Sequence, residues 1–160
     1  MKSYNGFTPE QRTIAGKWLR ERWASGARKR PTICAACGQT AGRIDGHSES
    51  YAEPYGPHIG AFDLCMRCHL AVHCRLVRPG KWDHFRRGIR AGAMFPAADT
   101  WEDFRCWWFS SGPAMAGADP AANEPRERTI LDDIHDGRTQ PSRATCMIGD
   151  GFGMEGADVA

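Results

Sequence analysis

The feature that most constrains this chain is a pair of Cys-x-x-Cys motifs, Cys34/Cys37 and Cys65/Cys68, with His47, His69 and His73 threaded between and behind them. Two such pairs bring four sulfurs to one tetrahedral point when the first lies in a tight knuckle and the second at a helix start. Gly38, directly after Cys37, gives the knuckle the turn it needs to point backbone amides at the sulfurs. A helix opening after Leu64 favours thiolate at Cys65 and Cys68, because a helix N-terminus is the positive end of its dipole. We therefore expect a structural Zn2+ site of four cysteines. The 27 residues between the two pairs exceed zinc-ribbon spacing, so a further element is built there.

A metal staple also suits the composition. Hydrophobic residues are 41% of the 160, and 18 Gly with 10 Pro leave little material for a large core. That length allows one domain, with or without a tail. Seven cysteines, an odd number, argue against a fully paired disulfide framework. Residues 1–10 lack the basic-then-apolar pattern of a signal peptide, and no apolar run reaches the length of a membrane span. The expectation is a cytoplasmic protein without membrane contact, in a compartment where thiolates stay free to bind metal.

The net charge of +2 hides an asymmetry. Residues 1–90 hold 16 Lys and Arg against 7 Asp and Glu, a balance of +9, whereas residues 91–160 hold 5 against 12, or −7. The basic part contains the cysteines, and a positive field over a metal module suits a polyanionic partner, nucleic acid and DNA first. The candidate phosphate contacts are Arg28, Lys29 and Arg30 ahead of the first cysteine, and Arg86, Arg87 and Arg90 behind the second pair.

Local signals place these residues on elements. Thr8, Pro9 and Gln11 read as N-cap, first helical position and capping box of a helix to Ala24, with Ile14, Trp18, Leu19 and Trp23 near one face. Its arginines either form a solvated face or lie along a phosphate backbone. Thr32 to Ala36 is expected to start a short strand, and Arg43 to His47 a second one in which Asp45 and His47 share a face. Tyr51 to Gly60 is a loop whose tyrosines either stack on bases or pack inward. A helix from Cys65 toward Arg75 puts His69 and His73, four apart, on one face. Lys81 to Ile89 forms another helix with Trp82, Phe85 and Ile89 inward. Asp99 or Thr100 caps an aromatic helix through Trp101, Phe104, Trp107 and Trp108 that closes over the metal module. Cys74, Cys106 and Cys146 read as buried or incidental thiols. The expected organisation is a basic helix and linker over 1–30, a zinc-binding domain over 31–109 and a loosely packed or disordered tail over 110–160, with one short helix around Glu127 to His135.

This pattern resembles the zinc-stapled, four-cysteine branch of the HNH, or ββα-metal, endonucleases. The knuckle is matched by Cys34-Ala35-Ala36-Cys37-Gly38, the histidine after a strand by His47, and the helix opening by Leu64-Cys65-Met66-Arg67-Cys68-His69, with His73 as the further metal position. The resemblance covers about 40 residues. It implies an α+β fold, a small treble-clef-like ββα-metal module flanked by helices. It also implies metal-assisted hydrolysis of DNA phosphodiesters. His47 is then the catalytic base, and a second divalent cation, Mg2+ or another, is held by His69 and His73 with Asp45 as a further ligand. The chain departs from the family at Gly46, where a metal-binding Asp or His is usual, and at Gly60, where an Asn is usual. Asp45 is a stand-in for the first, and His58 or Asp63 for the second. Two other readings fit the same residues: a non-catalytic zinc module that binds nucleic acid, and a protein-interaction domain in which zinc only builds the fold.

Overall fold

The computed structural model describes residues 3–98, 100–110, 117–120 and 122–142. The first helix, α1 (Pro9–Ala24), begins as its capping signals dictate: Thr8 accepts from the Gln11 backbone N–H, and the Gln11 side chain accepts from the Thr8 N–H at 2.8 Å. Its packing face is Ala15 and Leu19, flanked by half-buried Trp18 and Trp23. Ile14 lies outside that face and is 48% exposed, contrary to its expected place in the stripe.

A two-stranded antiparallel hairpin follows, β1 (Ile44–His47) and β2 (Phe62–Cys65), in the register Ile44 opposite Cys65 and His47 opposite Phe62. Cys65 ends β2 and is also the N-cap residue of α2 (Met66–His73), so strand passes to helix with no linker. The strand expected over Thr32 to Ala36 is absent. There the Cys34 N–H donates to Gln39 O and the Gly38 N–H to Cys34 O, each at 2.8 Å, which closes a loop too tight for strand pairing. Ala35 N–H instead donates to Asp63 O at 2.9 Å and ties this knuckle to β2.

Three more helices, α3 (Pro79–Arg90), α4 (Trp101–Phe109) and α5 (Ile130–His135), enclose the main core. Thr100 caps α4 through reciprocal bonds with Asp103, whereas Asp99 lies outside the described residues. Trp82, Phe85 and Ile89 of α3 face inward as their spacing requires, and meet Phe95, Phe104 and Trp108. Phe85 and Trp108 are edge to face at 5.8 Å, and Phe104 stacks on Trp108 at 5.6 Å, arrangements that suit aromatic quadrupoles. A second, smaller cluster joins Ala15 and Leu19 of α1 to Ile59. No helix among the described residues is long and apolar enough to cross a membrane.

The helix of residues 1–30 is joined to the rest of the chain, since Leu19 packs against the hairpin at Gly46 and the loop at Gly60. One expectation about organisation is corrected. Within 110–160, residues 122–142 are not loose: Ile130, Leu131 and Ile134 are buried in the main core, and Asn123 and Arg126 reach the knuckle. Few large apolar residues occur there, but those few fall on one turn-and-a-half of helix and all turn inward. Residues 111–116 and 143–160, with Cys146, lie outside the described part.

Two stability measurements follow. Leu131→Ala is expected to lower the free energy of unfolding by about 2 to 5 kcal/mol, read from the midpoint of urea denaturation, whereas a loose tail would show no change. Gly60 has φ +65° and a Cβ there would stand 2.5 Å from Leu19 Cδ2, so Gly60→Ala should cost about 1 to 3 kcal/mol by the same assay.

Candidate metal centres

Two clusters of ligand-type side chains sit at the two ends of the hairpin-helix unit. In the first, Cys34 and Cys37 come from the knuckle and Cys65 and Cys68 from the junction of β2 with α2; all four are buried and unpaired by disulfides. Their sulfurs lie within 4.8 Å of one another, with Cys37 and Cys65 at 3.8 Å. A tetrahedral ion with Zn–S bonds of about 2.3 Å needs sulfur-sulfur edges of about 3.8 Å, so the set suits a structural metal such as zinc. Hydrogen bonding of the Cys68 thiol to Cys34, Cys37 and Cys65, together with burial, favours its protonated form and pushes its pKa well up. Four sulfurs crowded this way cannot ionise unaided, and a central cation is what lets them do so.

Positive charge flanks this cluster from two sides. Arg67, buried on α2, donates from Nε to Pro96 O at 2.9 Å and lies over the Trp107 ring at 4.6 Å. Arg126 donates to Ala36 O at 2.6 Å. Burial lowers both guanidinium pKa values and the nearby cysteines oppose that shift. Four thiolates on a divalent ion would leave two negative charges, and these two arginines stand where they would balance them.

The second cluster is His47 at the end of β1 with His69 and His73 on α2, their ligand nitrogens within 4.8 Å of one another. His69 Nε2 and His73 Nε2 are 3.1 Å apart. Behind His69, Asp45 places a carboxylate oxygen 3.5 Å from Nδ1 and accepts from Arg43 Nε at 2.6 Å. Asp45, expected as a further metal ligand, does not converge with the three histidines and instead backs one of them: it meets the nitrogen of His69 that faces away from His73. Burial tends to raise the Asp45 pKa, but hydrogen bonds with His69 and Arg43 hold it below the usual range. Burial pushes His47 down to about 4 against the pull of Glu49, and His73 down to about 2 with help from the charge of His69. Both rings are thus neutral near pH 7, the state in which imidazole binds metal or takes a proton.

Glu49 is the site residue that sequence reasoning missed. Its buried carboxylate takes His47 Nε2 at 2.7 Å, Asn5 Nδ2 at 2.6 Å and Arg75 Nη2 at 2.9 Å, and also accepts from the Tyr4 hydroxyl. Burial opposes its charge, yet the bonds from His47 and Tyr4 keep its pKa below normal. The only local signal was its spacing, two residues past His47; Tyr4, Asn5 and Arg75 are far away in sequence.

The histidines floor a cleft of about 550 Å³ between α1 and β1, lined also by Arg12, Arg20, Arg30 and Arg43 with Trp23 and Tyr51. Of the expected phosphate contacts, Arg30 lines this cleft, and Lys29 and Arg87 are exposed. Arg28 instead donates to the carbonyls of Ile59 and Gly60, while Arg86 pairs with Asp132 at 2.8 Å and Arg90 with the same carboxylate at 3.9 Å. These three are held by the protein's own acceptors. Tyr51 and Tyr55 pack on Phe7 and Trp18. His58 bonds Ala52 O, and neither it nor Asp63 lines the cleft. At Gly46 a Cβ would approach Gly60 Cα to 3.0 Å, leaving no room for a polar side chain. Cys74 is buried and Cys106 exposed, each remote from the four-sulfur cluster in role.

No protein-family model, curated protein or solved structure matches the chain. Removal of metal tests the first cluster directly. Protein purified without chelator should carry at least about one metal atom per chain by elemental analysis, and Cys68→Ser should lose it and unfold at lower urea.

Proposed function

We propose that this chain is a metal-dependent, HNH-like endonuclease that hydrolyses DNA phosphodiester bonds, with the four cysteines holding a structural zinc in a ββα-metal, treble-clef-like module. The observation that carries the reading is the convergence of His47, His69 and His73 on the floor of a cleft rimmed by arginines. The hairpin passing directly into the helix that bears His69 and His73 supports it further.

In this reading His69 and His73 hold a divalent cation, Mg2+ or another, which when bound would neutralise charge on the scissile phosphate and leaving oxygen. His47 is neutral and takes the proton of the attacking water. Asp45 fixes the ring of His69 from behind, as carboxylates commonly do for metal-binding histidines. Arg20 and Arg30 supply the phosphate contacts, so the strand would run along α1 instead of along α3. The basic helix then has the role that its arginines allowed.

The packing of Gly46 on Gly60 and the near-complete burial of His47 favour a second reading, a zinc module that binds nucleic acid without cutting it. Supercoiled plasmid incubated with Mg2+, Mn2+, Ni2+ or Zn2+ separates the two. The nuclease reading expects nicking with at least one ion and a fall of about 100-fold or more in His47→Ala and His73→Ala. Absence of cutting with every ion, together with unchanged, salt-dependent DNA binding by His47→Ala, would establish the second reading instead.

A further inference from the structure

The histidine cluster contains one ring whose two nitrogens have unlike surroundings. His47 is buried, its Nε2 faces Glu49 Oε1 at 2.7 Å, and its Nδ1 is buried with no hydrogen-bond partner. The protonation of that ring can be worked out from its neighbours alone. Glu49 Oε2 receives Asn5 Nδ2 and Arg75 Nη2, groups that only donate. Glu49 Oε1 receives the Tyr4 hydroxyl proton, so the Tyr4 oxygen, which takes Arg75 Nη1 and lies 3.4 Å from His47 Nε2, has no proton left to give that nitrogen. Each carboxylate oxygen is therefore an acceptor, and neither has a proton to give. The remaining contact to Oε1 must be a donor, so Nε2 carries the hydrogen. A proton on Nδ1 as well would be buried without an acceptor, at a cost of about 1 to 3 kcal/mol.

We infer that Glu49 is a positioning residue that locks His47 in its Nε2–H tautomer, making Nδ1, and not Nε2, the working nitrogen at the cleft floor. Four donors from three parts of the chain hold the carboxylate: Tyr4 and Asn5 ahead of α1, His47 on β1, and Arg75 just past α2. That wiring makes the tautomer a property of the assembled fold. In an unassembled hairpin the ring would be free to place its proton on either nitrogen. It also gives the residues before α1 a task, because Tyr4 and Asn5 complete the set of donors that keeps Glu49 charged in a buried position.

The test reads the ring directly. In protein labelled with 15N at histidine, long-range imidazole correlations distinguish a protonated nitrogen from one with a free lone pair. Wild-type protein near neutral pH should show His47 with a protonated Nε2 and an unprotonated Nδ1, and Glu49→Gln should show a mixture of tautomers or a reversed one. Tyr4→Phe, which leaves the carboxylate in place, should keep the wild-type pattern even if Glu49→Gln folds poorly. A wild-type ring protonated at Nδ1 overturns the inference whatever the protein does to DNA. The kinetic arm rests on the nuclease reading: Glu49→Gln should lower kcat about 10- to 100-fold at unchanged KM. The expected tautomer without plasmid cleavage under any metal would leave Glu49's role standing and remove the nuclease.

Discussion

The four-sulfur cluster is the contact on which the rest of this structure depends. It joins a knuckle that has no strand or helix of its own to the point where β2 becomes α2, and it does so inside the main core among Leu64, Ala71 and Phe95. Without a cation those four thiols are a poor core, small, polarisable and unable to ionise together. With one they become a covalent-strength bracket that fixes the direction of α2 relative to β1. The second cluster follows from that direction. His69 and His73 sit on α2 and His47 on β1, so the angle between helix and hairpin sets whether three nitrogens meet.

Charge in this chain is arranged by folding and not by sequence order. The basic first part and acidic second part look like two opposed surfaces when read linearly. In the folded protein Asp132 of α5 takes Arg86 and Arg90 of α3, and Arg126 returns from the acidic region to balance the sulfurs. What remains of the positive field concentrates over the cleft, where Arg12, Arg20, Arg30 and Arg43 lie near the neutral histidines. Arg86, largely covered and bonded to Asp132 at 2.8 Å, has little left to offer a phosphate. Clusters of arginine in a sequence therefore overstate the surface they contribute.

The parts legible in the sequence are those carried by short-range physics. Capping residues Thr8 and Thr100, the i, i+4 histidines and the Cys-x-x-Cys spacing each act within one or two helical turns, and each appears where its spacing placed it. The misses need partners from elsewhere. β2 is four residues long and shows itself only by pairing with β1. The short helix expected around Glu127 to His135 is present as α5, but its burial was not legible, because it rests on only Ile130, Leu131 and Ile134 meeting a core built by other segments. Glu49 has no motif at all, and its role comes from Tyr4 and Asn5 in one distant segment and Arg75 in another.

Gly46 and Gly60 connect the packing to the site. Each stands where the resemblance leads one to expect a polar side chain, and each is filled by the approach of the other and of Leu19. A side chain at either position would hold α1 away from the hairpin. With glycine at both, α1 comes down onto β1, and Arg12 and Arg20 arrive as the wall of the cleft. Carboxylates reach two of the histidines from behind, Asp45 on His69 and Glu49 on His47. A carboxylate that backs a histidine sets its tautomer and orientation without occupying space in front of it. Glycine at both positions thus brings a cationic wall close to the histidines, two of which are held by carboxylates from behind.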